Sequence, residues 1–81
     1  MVVNGGVTFE LLRIGGYQIS DGDDTGAVKY YGFLQTNGTW YIMKNDTGSN
    51  SYRYAKGDSG YTTAWTDRAG LTYVYFNALG W

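Results

Sequence analysis

Lys29-Tyr30-Tyr31-Gly32-Phe33-Leu34-Gln35-Thr36-Asn37-Gly38-Thr39-Trp40-Tyr41-Ile42-Met43-Lys44 is the stretch that decides the fold of this 81-residue chain. Apolar residues alternate on both sides of Asn37-Gly38, and Asn-Gly between two such runs is the strongest short-range hairpin signal, because both residues tolerate the positive φ of a type I′ turn. A two-residue loop sets the pairing, with Gln35 opposite Trp40, Leu34 opposite Tyr41, Phe33 opposite Ile42 and Gly32 opposite Met43. Strands are thus expected over Ala27 to Gln35 and Thr39 to Lys44. One face carries Tyr31, Phe33, Trp40 and Ile42; the other carries Tyr30, Leu34, Tyr41 and Met43.

Outward from the hairpin, Asn45 to Asn50 reads as a second turn and Ser51-Tyr52-Arg53-Tyr54 as the next strand. With Ser51 opposite Lys44, Tyr52 and Tyr54 join the Tyr41 and Met43 face and Arg53 falls opposite Ile42. From about 60 to 69 the period changes. Tyr61, Ala64, Trp65 and Arg68 recur at helical spacing, Asp58 or Ser59 stands where an N-cap belongs, and Gly70 offers a left-handed stop. Leu71 to Asn77 alternates again and predicts a last strand, followed by a tail whose Trp81 should seek burial. Towards the other end, Val7 to Ile14 reads as a first strand bracketed by Gly5-Gly6 and Gly15-Gly16. Tyr17-Gln18-Ile19 is a short strand ending in the acidic loop that begins at Ser20. The expected fold is mainly β: a compact antiparallel sheet or small barrel of 5–6 strands with one short helix (about 60–69), in a single small domain spanning 1–81.

A domain of this size buries only about 60% of its unfolded surface, so each core side chain counts. Nine Tyr, three Trp and three Phe supply that core, and tyrosines bury their rings while their hydroxyls reach water. Net charge is −1, from seven acidic and six basic residues scattered singly. Such a balance generates no long-range field towards nucleic acid or anionic lipid. No apolar run approaches the ~20 residues of a spanning helix, which argues against a membrane partner, and Met1-Val2-Val3-Asn4-Gly5 lacks the regions of a signal peptide. The chain contains no Cys, His or Pro, which removes disulfides, thiolate metal sites and imidazole catalysis.

The constellations that remain are weak in chemistry. Asp21-Gly22-Asp23-Asp24 gathers carboxylates that hard cations favour, but without the spacing of a calcium loop it reads as a solvated turn. Glu10 is a lone strand carboxylate where glycoside hydrolysis needs a pair. Serines and threonines have no histidine to activate them, and the Gly-Gly pairs are not phosphate cradles. No enzymatic activity, cofactor or metal is therefore expected. Tyr52-Arg53-Tyr54-Ala55-Lys56 interleaves rings and cations as single-strand nucleic-acid platforms do, yet two cations give little counterion release. Large rings on both faces of one hairpin point instead to contacts with other molecules. The candidates are Tyr31, Trp40, Tyr41, Tyr52, Arg53, Tyr54, Trp65 and Trp81, for a protein partner or, alternatively, for a glycan stacked on Trp40, Tyr41, Tyr52 and Tyr54.

Tyr30-Tyr31-Gly32-Phe33-Leu34, Trp40-Tyr41-Ile42-Met43-Lys44, Tyr52-Arg53-Tyr54-Ala55-Lys56-Gly57 and Ala64-Trp65-x-x-Arg68-x-x-Leu71-x-Tyr73 together resemble small virion-associated structural proteins of tailed bacteriophages, over about residues 28–76. The resemblance implies a virion component, made in the host cytoplasm, such as a head decoration or tail-associated protein. It would contact other virion proteins and copies of itself as a homo-oligomer. The shared pattern is one of packing and implies no catalytic or binding position.

Overall fold

The computed structural model describes residues 16–80. Four strands, β1 (Gln18–Asp23), β2 (Val28–Leu34), β3 (Trp40–Asp46) and β4 (Ser51–Gly57), form one open antiparallel sheet in the order β1-β2-β3-β4. A short helix, α1 (Tyr61–Thr66), follows, then two 3-10 turns, Arg68–Gly70 and Phe76–Ala78. Among the described residues the sheet has four strands and does not close into a barrel. The strand expected over Val7 to Ile14 and the tail residue Trp81 lie outside the described residues.

The hairpin forms where the sequence places it, but its register is one residue off the expected one. Leu34 pairs with Trp40, Phe33 with Tyr41, Gly32 with Ile42 and Tyr31 with Met43. The loop has three residues: Gly38 N donates to Gln35 O at 2.9 Å, and Gln35 N donates to Thr39 O at 2.9 Å. Gly38 alone in this turn has positive φ, at 94°, the signature of a type I turn closed by a glycine bulge. Asn37 contributes its side chain instead, accepting from Thr39 N at 3.0 Å and Thr39 Oγ1 at 2.7 Å. A one-residue slip exchanges the faces of one strand relative to the other. Trp40 and Ile42 therefore share a face with Tyr30, Gly32 and Leu34, while Tyr31 and Phe33 join Tyr41 and Met43.

The second hairpin pairs Asp46 with Ser51, Lys44 with Arg53, Met43 with Tyr54 and Ile42 with Ala55. Its register differs from the expected one by two residues, which preserves the faces. Tyr52 and Tyr54 do lie with Tyr41 and Met43, and Arg53 stands opposite Lys44 rather than Ile42. Asp46 Oδ1 shapes the loop by accepting from Gly48 N at 3.0 Å.

One face of the sheet packs under α1. The core there is Trp40, Ile42, Ala55, Tyr61 and Ala64, flanked by Tyr30, Leu34, Trp65, Leu71 and Tyr73. Two glycines make room for it. A Cβ on Gly32 would strike the Tyr61 hydroxyl and come within 3.0 Å of Trp65, and one on Gly57 would lie 2.5 Å from the Trp40 ring. The glycine opposite Trp40 therefore lets the indole lie across β4.

The helix starts differently from expectation. Gly60, with φ 71°, occupies the N-cap position and no side chain caps it. Ser59 contributes its carbonyl, which accepts from Trp40 Nε1 at 2.7 Å. The α-helix ends at Thr66, and the chain passes through the 3-10 turn at Arg68–Gly70 without a left-handed Gly70. Nor is Leu71 to Asn77 a strand. It meets the sheet through a single antiparallel bridge, in which Tyr54 and Val74 exchange hydrogen bonds of 2.7 and 2.8 Å, and then turns into the second 3-10 segment.

Candidate interaction surface

The positions of the candidate residues follow from strand parity and from one irregularity in β1. Ile19 pairs with Phe33 but Asp21 pairs with Gly32, so Ser20 is an extra residue bulged out of the ladder. Beyond the bulge the alternation is reversed, and Asp21 and Asp23, two of the three carboxylates of the acidic loop, turn under α1. Asp21 Oδ2 accepts from Tyr61 Oη at 2.8 Å. Asp23 Oδ2 accepts from Arg68 Nε at 3.2 Å and Nη2 at 2.9 Å, while Thr25 Oγ1 donates to Oδ1 at 3.0 Å. The hydrogen bonds from Arg68 and then from Thr25 hold the Asp23 carboxyl below the usual carboxylate range. Burial, and the hydrogen bond donated to Asp21, push the Tyr61 phenol up to about 12. Burial likewise raises Tyr73, whose hydroxyl donates to Arg68 O at 2.8 Å. The Arg68 guanidinium also lies 4.5 Å from the Trp65 ring. These charged groups are committed to holding the helix, and no group of three or more metal-ligating side chains occurs among the described residues.

On the opposite, outer face the rings pack on one another. Phe33 and Tyr41 stack with centroids 4.6 Å apart and planes at 16°. Tyr17 meets Tyr41 edge-on at 4.9 Å, and Tyr54 lies 6.2 Å from Tyr41. Burial first, then the neighbouring Tyr54 and Tyr17, raises the Tyr41 phenol above its ordinary value.

At the β4 edge the bridge at Tyr54 and Val74 aligns the C-terminal segment, bringing Tyr75 beside Arg53 and Phe76 beside Tyr54. Arg53 stacks 3.9 Å over the Tyr75 ring, and Phe76 meets Tyr54 edge-on at 5.0 Å. Large hydrophobic side chains left exposed among the described residues are Ile19 (62%), Tyr52 (47%), Tyr75 (62%) and Phe76 (50%). Three of these four lie along this edge, Tyr75 against Arg53, Phe76 against Tyr54 and Tyr52 on the outer face of β4.

No protein-family model, curated protein or solved structure matches this chain. The surface must be read from its own residues.

Of the eight candidates, Tyr52, Arg53 and Tyr54 come together at this edge. Tyr31 and Tyr41 lie further in on the outer face, half-buried. Trp40 is core on the helix side, only 7% exposed, and is separated by the sheet from Tyr41, Tyr52 and Tyr54. Trp65 is half-buried on α1, its ring 6.3 Å from Tyr61, and Trp81 is outside the described residues. Tyr75 and Phe76 were not singled out by the sequence. Their alternation was visible, but only the shortness of the pairing leaves them exposed. No helix among the described residues is long and apolar enough to cross a membrane.

Proposed function

We propose that this chain is a non-enzymatic structural protein of a tailed-phage virion that works through protein–protein contacts in a symmetric assembly, with the β4 edge as one contact surface. The observation that carries the reading is the run of exposed rings along the β4 edge, Tyr52 on its outer face and Tyr75 and Phe76 packed against Arg53 and Tyr54. Tyrosine and arginine are enriched at interface hot spots because they combine large apolar area with directed hydrogen bonding. Arg53 is also pre-ordered by its own backbone, donating from Nη1 to Tyr52 O at 2.8 Å, which lowers the entropy lost on docking. The resemblance over residues 28–76 gives the virion context, and the family's copies and neighbouring virion proteins are the partners it implies.

Size-exclusion chromatography with light scattering tests this on the full chain across a concentration series. The expected result is a closed oligomer that shifts to smaller species in Tyr75→Ser/Phe76→Ser, a change at exposed positions that leaves the fold intact. A monomer at every concentration, indistinguishable from the variant and absent from particles, overturns the reading. Binding to immobilised glycans that is lost with Tyr52→Ala would replace it by an adhesion role.

A further inference from the structure

The tip of the first hairpin carries chemistry of its own. In Asn37-Gly38 no Cβ on residue 38 shields the backbone nitrogen from the side-chain amide before it. When that nitrogen attacks, a bond forms between Gly38 N and Asn37 Cγ, and the bond from Cγ to Nδ2 breaks. Nδ2 leaves as ammonia with the proton that Gly38 N gives up. Water then opens the succinimide at one carbonyl or the other, leaving aspartate or isoaspartate. Asparagine is a thermolabile residue for this reason.

The attack requires the two atoms to meet in line and the nitrogen to release its proton. The closed turn opposes both. Gly38 N donates to Gln35 O at 2.9 Å, so the proton of the nucleophile is engaged. Asn37 Oδ1 accepts from Thr39 N at 3.0 Å and from Thr39 Oγ1 at 2.7 Å, which holds the amide towards residue 39. Solvent access gives no protection, because Asn37 is exposed.

The two products differ in what they do to the turn. Aspartate keeps the oxygen that accepts from Thr39, whereas isoaspartate adds a methylene to the backbone of the loop. That loop closes through Gln35 N and Thr39 O, next to the pairing that sets Trp40 opposite Leu34 and across Gly57.

We infer that Asn37 is a modification site gated by the hairpin turn, spared while the turn is closed and converted to aspartate and isoaspartate in chains whose turn has opened. Isoaspartate then hinders reclosure, so each event marks its chain permanently. The inference stands apart from the assembly reading, since every group it uses belongs to one hairpin of one chain.

Peptide mapping with isoaspartate detection follows Asn37 in the full chain at mildly alkaline pH. Asn4→Gln serves as the background, leaving Asn37-Gly38 as the sole Asn-Gly pair of the sequence. Conversion should be at least ~10-fold slower in buffer than in unfolding urea, because only the open fraction reacts. Thr39→Val removes the hydroxyl and keeps the backbone N–H; it should speed conversion in buffer and leave the rate in urea nearly unchanged. Equal rates in buffer and urea overturn the inference. So does unchanged or slower conversion of Thr39→Val in buffer, the slower rate meaning that Oγ1 assists the attack by stabilising the oxyanion. The separated isoaspartate chain should unfold at lower urea than the aspartate chain, and equal midpoints would overturn the permanent mark.

Discussion

The two faces of the sheet are built on different rules. On the helix side each large group has a dedicated seat. Gly32 accommodates Tyr61 and Trp65, Gly57 accommodates Trp40, and Asp21, Asp23 and the Ser59 carbonyl take the hydrogen bonds of Tyr61, Arg68 and Trp40. The outer face is ring against ring, with Phe33, Tyr41, Tyr17 and Tyr54 in contact. It also contains a buried polar atom without a hydrogen-bond partner, Asn45 Oδ1. A seat with directed hydrogen bonds selects one occupant, because any other leaves a buried polar group unpaired. A ring surface tolerates many. Specificity is thus concentrated on the face that the protein covers with its own helix.

The sharpest way to break this contrast is Trp40→Ala, which removes the indole from its seat and leaves the Ser59 carbonyl unpaired. A loss of about 3–5 kcal/mol is expected by urea unfolding, a large part of the stability of so small a domain. A loss no greater than that of Phe33→Ala would show the two faces to be equivalent. Gly32→Ala should cost less, about 1–3 kcal/mol of overpacking. In a double-mutant cycle Tyr61→Phe should recover part of that cost, since the hydroxyl is the atom the new methyl meets; strictly additive losses would put the clash elsewhere.

The pH response adds a third comparison. Tyr61 titrates at about 12 in the folded protein against an ordinary value near 10. The stabilisation it brings is complete below pH ~10 and fades as pH rises towards 12, because the unfolded chain ionises first. Asp23 has the opposite sign: its contribution is present above the ordinary carboxylate value of ~4 and disappears as pH falls through its lowered folded value. Urea midpoints should therefore fall at both extremes, and Tyr61→Phe should flatten the alkaline limb only. An unaltered alkaline limb would assign that slope to other tyrosines. The smallest effect is expected from Asn45→Val, which removes the unpaired oxygen and adds a β-branched residue to a strand, for a gain of up to ~1 kcal/mol. A lower melting temperature would mean that the oxygen does have a partner.

The sequence reported the strands well and the register poorly, for a physical reason. Asn-Gly serves a two-residue loop with positive φ at both positions and a three-residue loop with positive φ at Gly38 alone, and local chemistry does not separate them. Packing does, because only the observed register sets Gly32 beside Ile42 beneath Tyr61. Trp40 was consequently expected at a contact surface and is found in the core. The bulge at Ser20 was equally hidden, since nothing in Gln18-Ile19-Ser20-Asp21 marks an extra residue until Tyr61 and Arg68 are in place 40 and 45 residues later. Tyr52 and Tyr54 do share a face with Tyr41 and Met43, as expected, because parity in β4 survived the two-residue shift. Tyr75 and Phe76 escaped notice because a full strand pairing was expected to absorb them.

The bulge makes position 20 the one residue of β1 that is spare to the pairing. Deleting Ser20 would leave a regular ladder with Ile19 still opposite Phe33 and Asp21 still opposite Gly32, on the helix side. Tyr61 and Arg68 would keep both their acceptors, and the strand would lose only the local bend and added twist of the bulge. At this point a frame-preserving loss of one codon would do less damage than replacing either aspartate beside it.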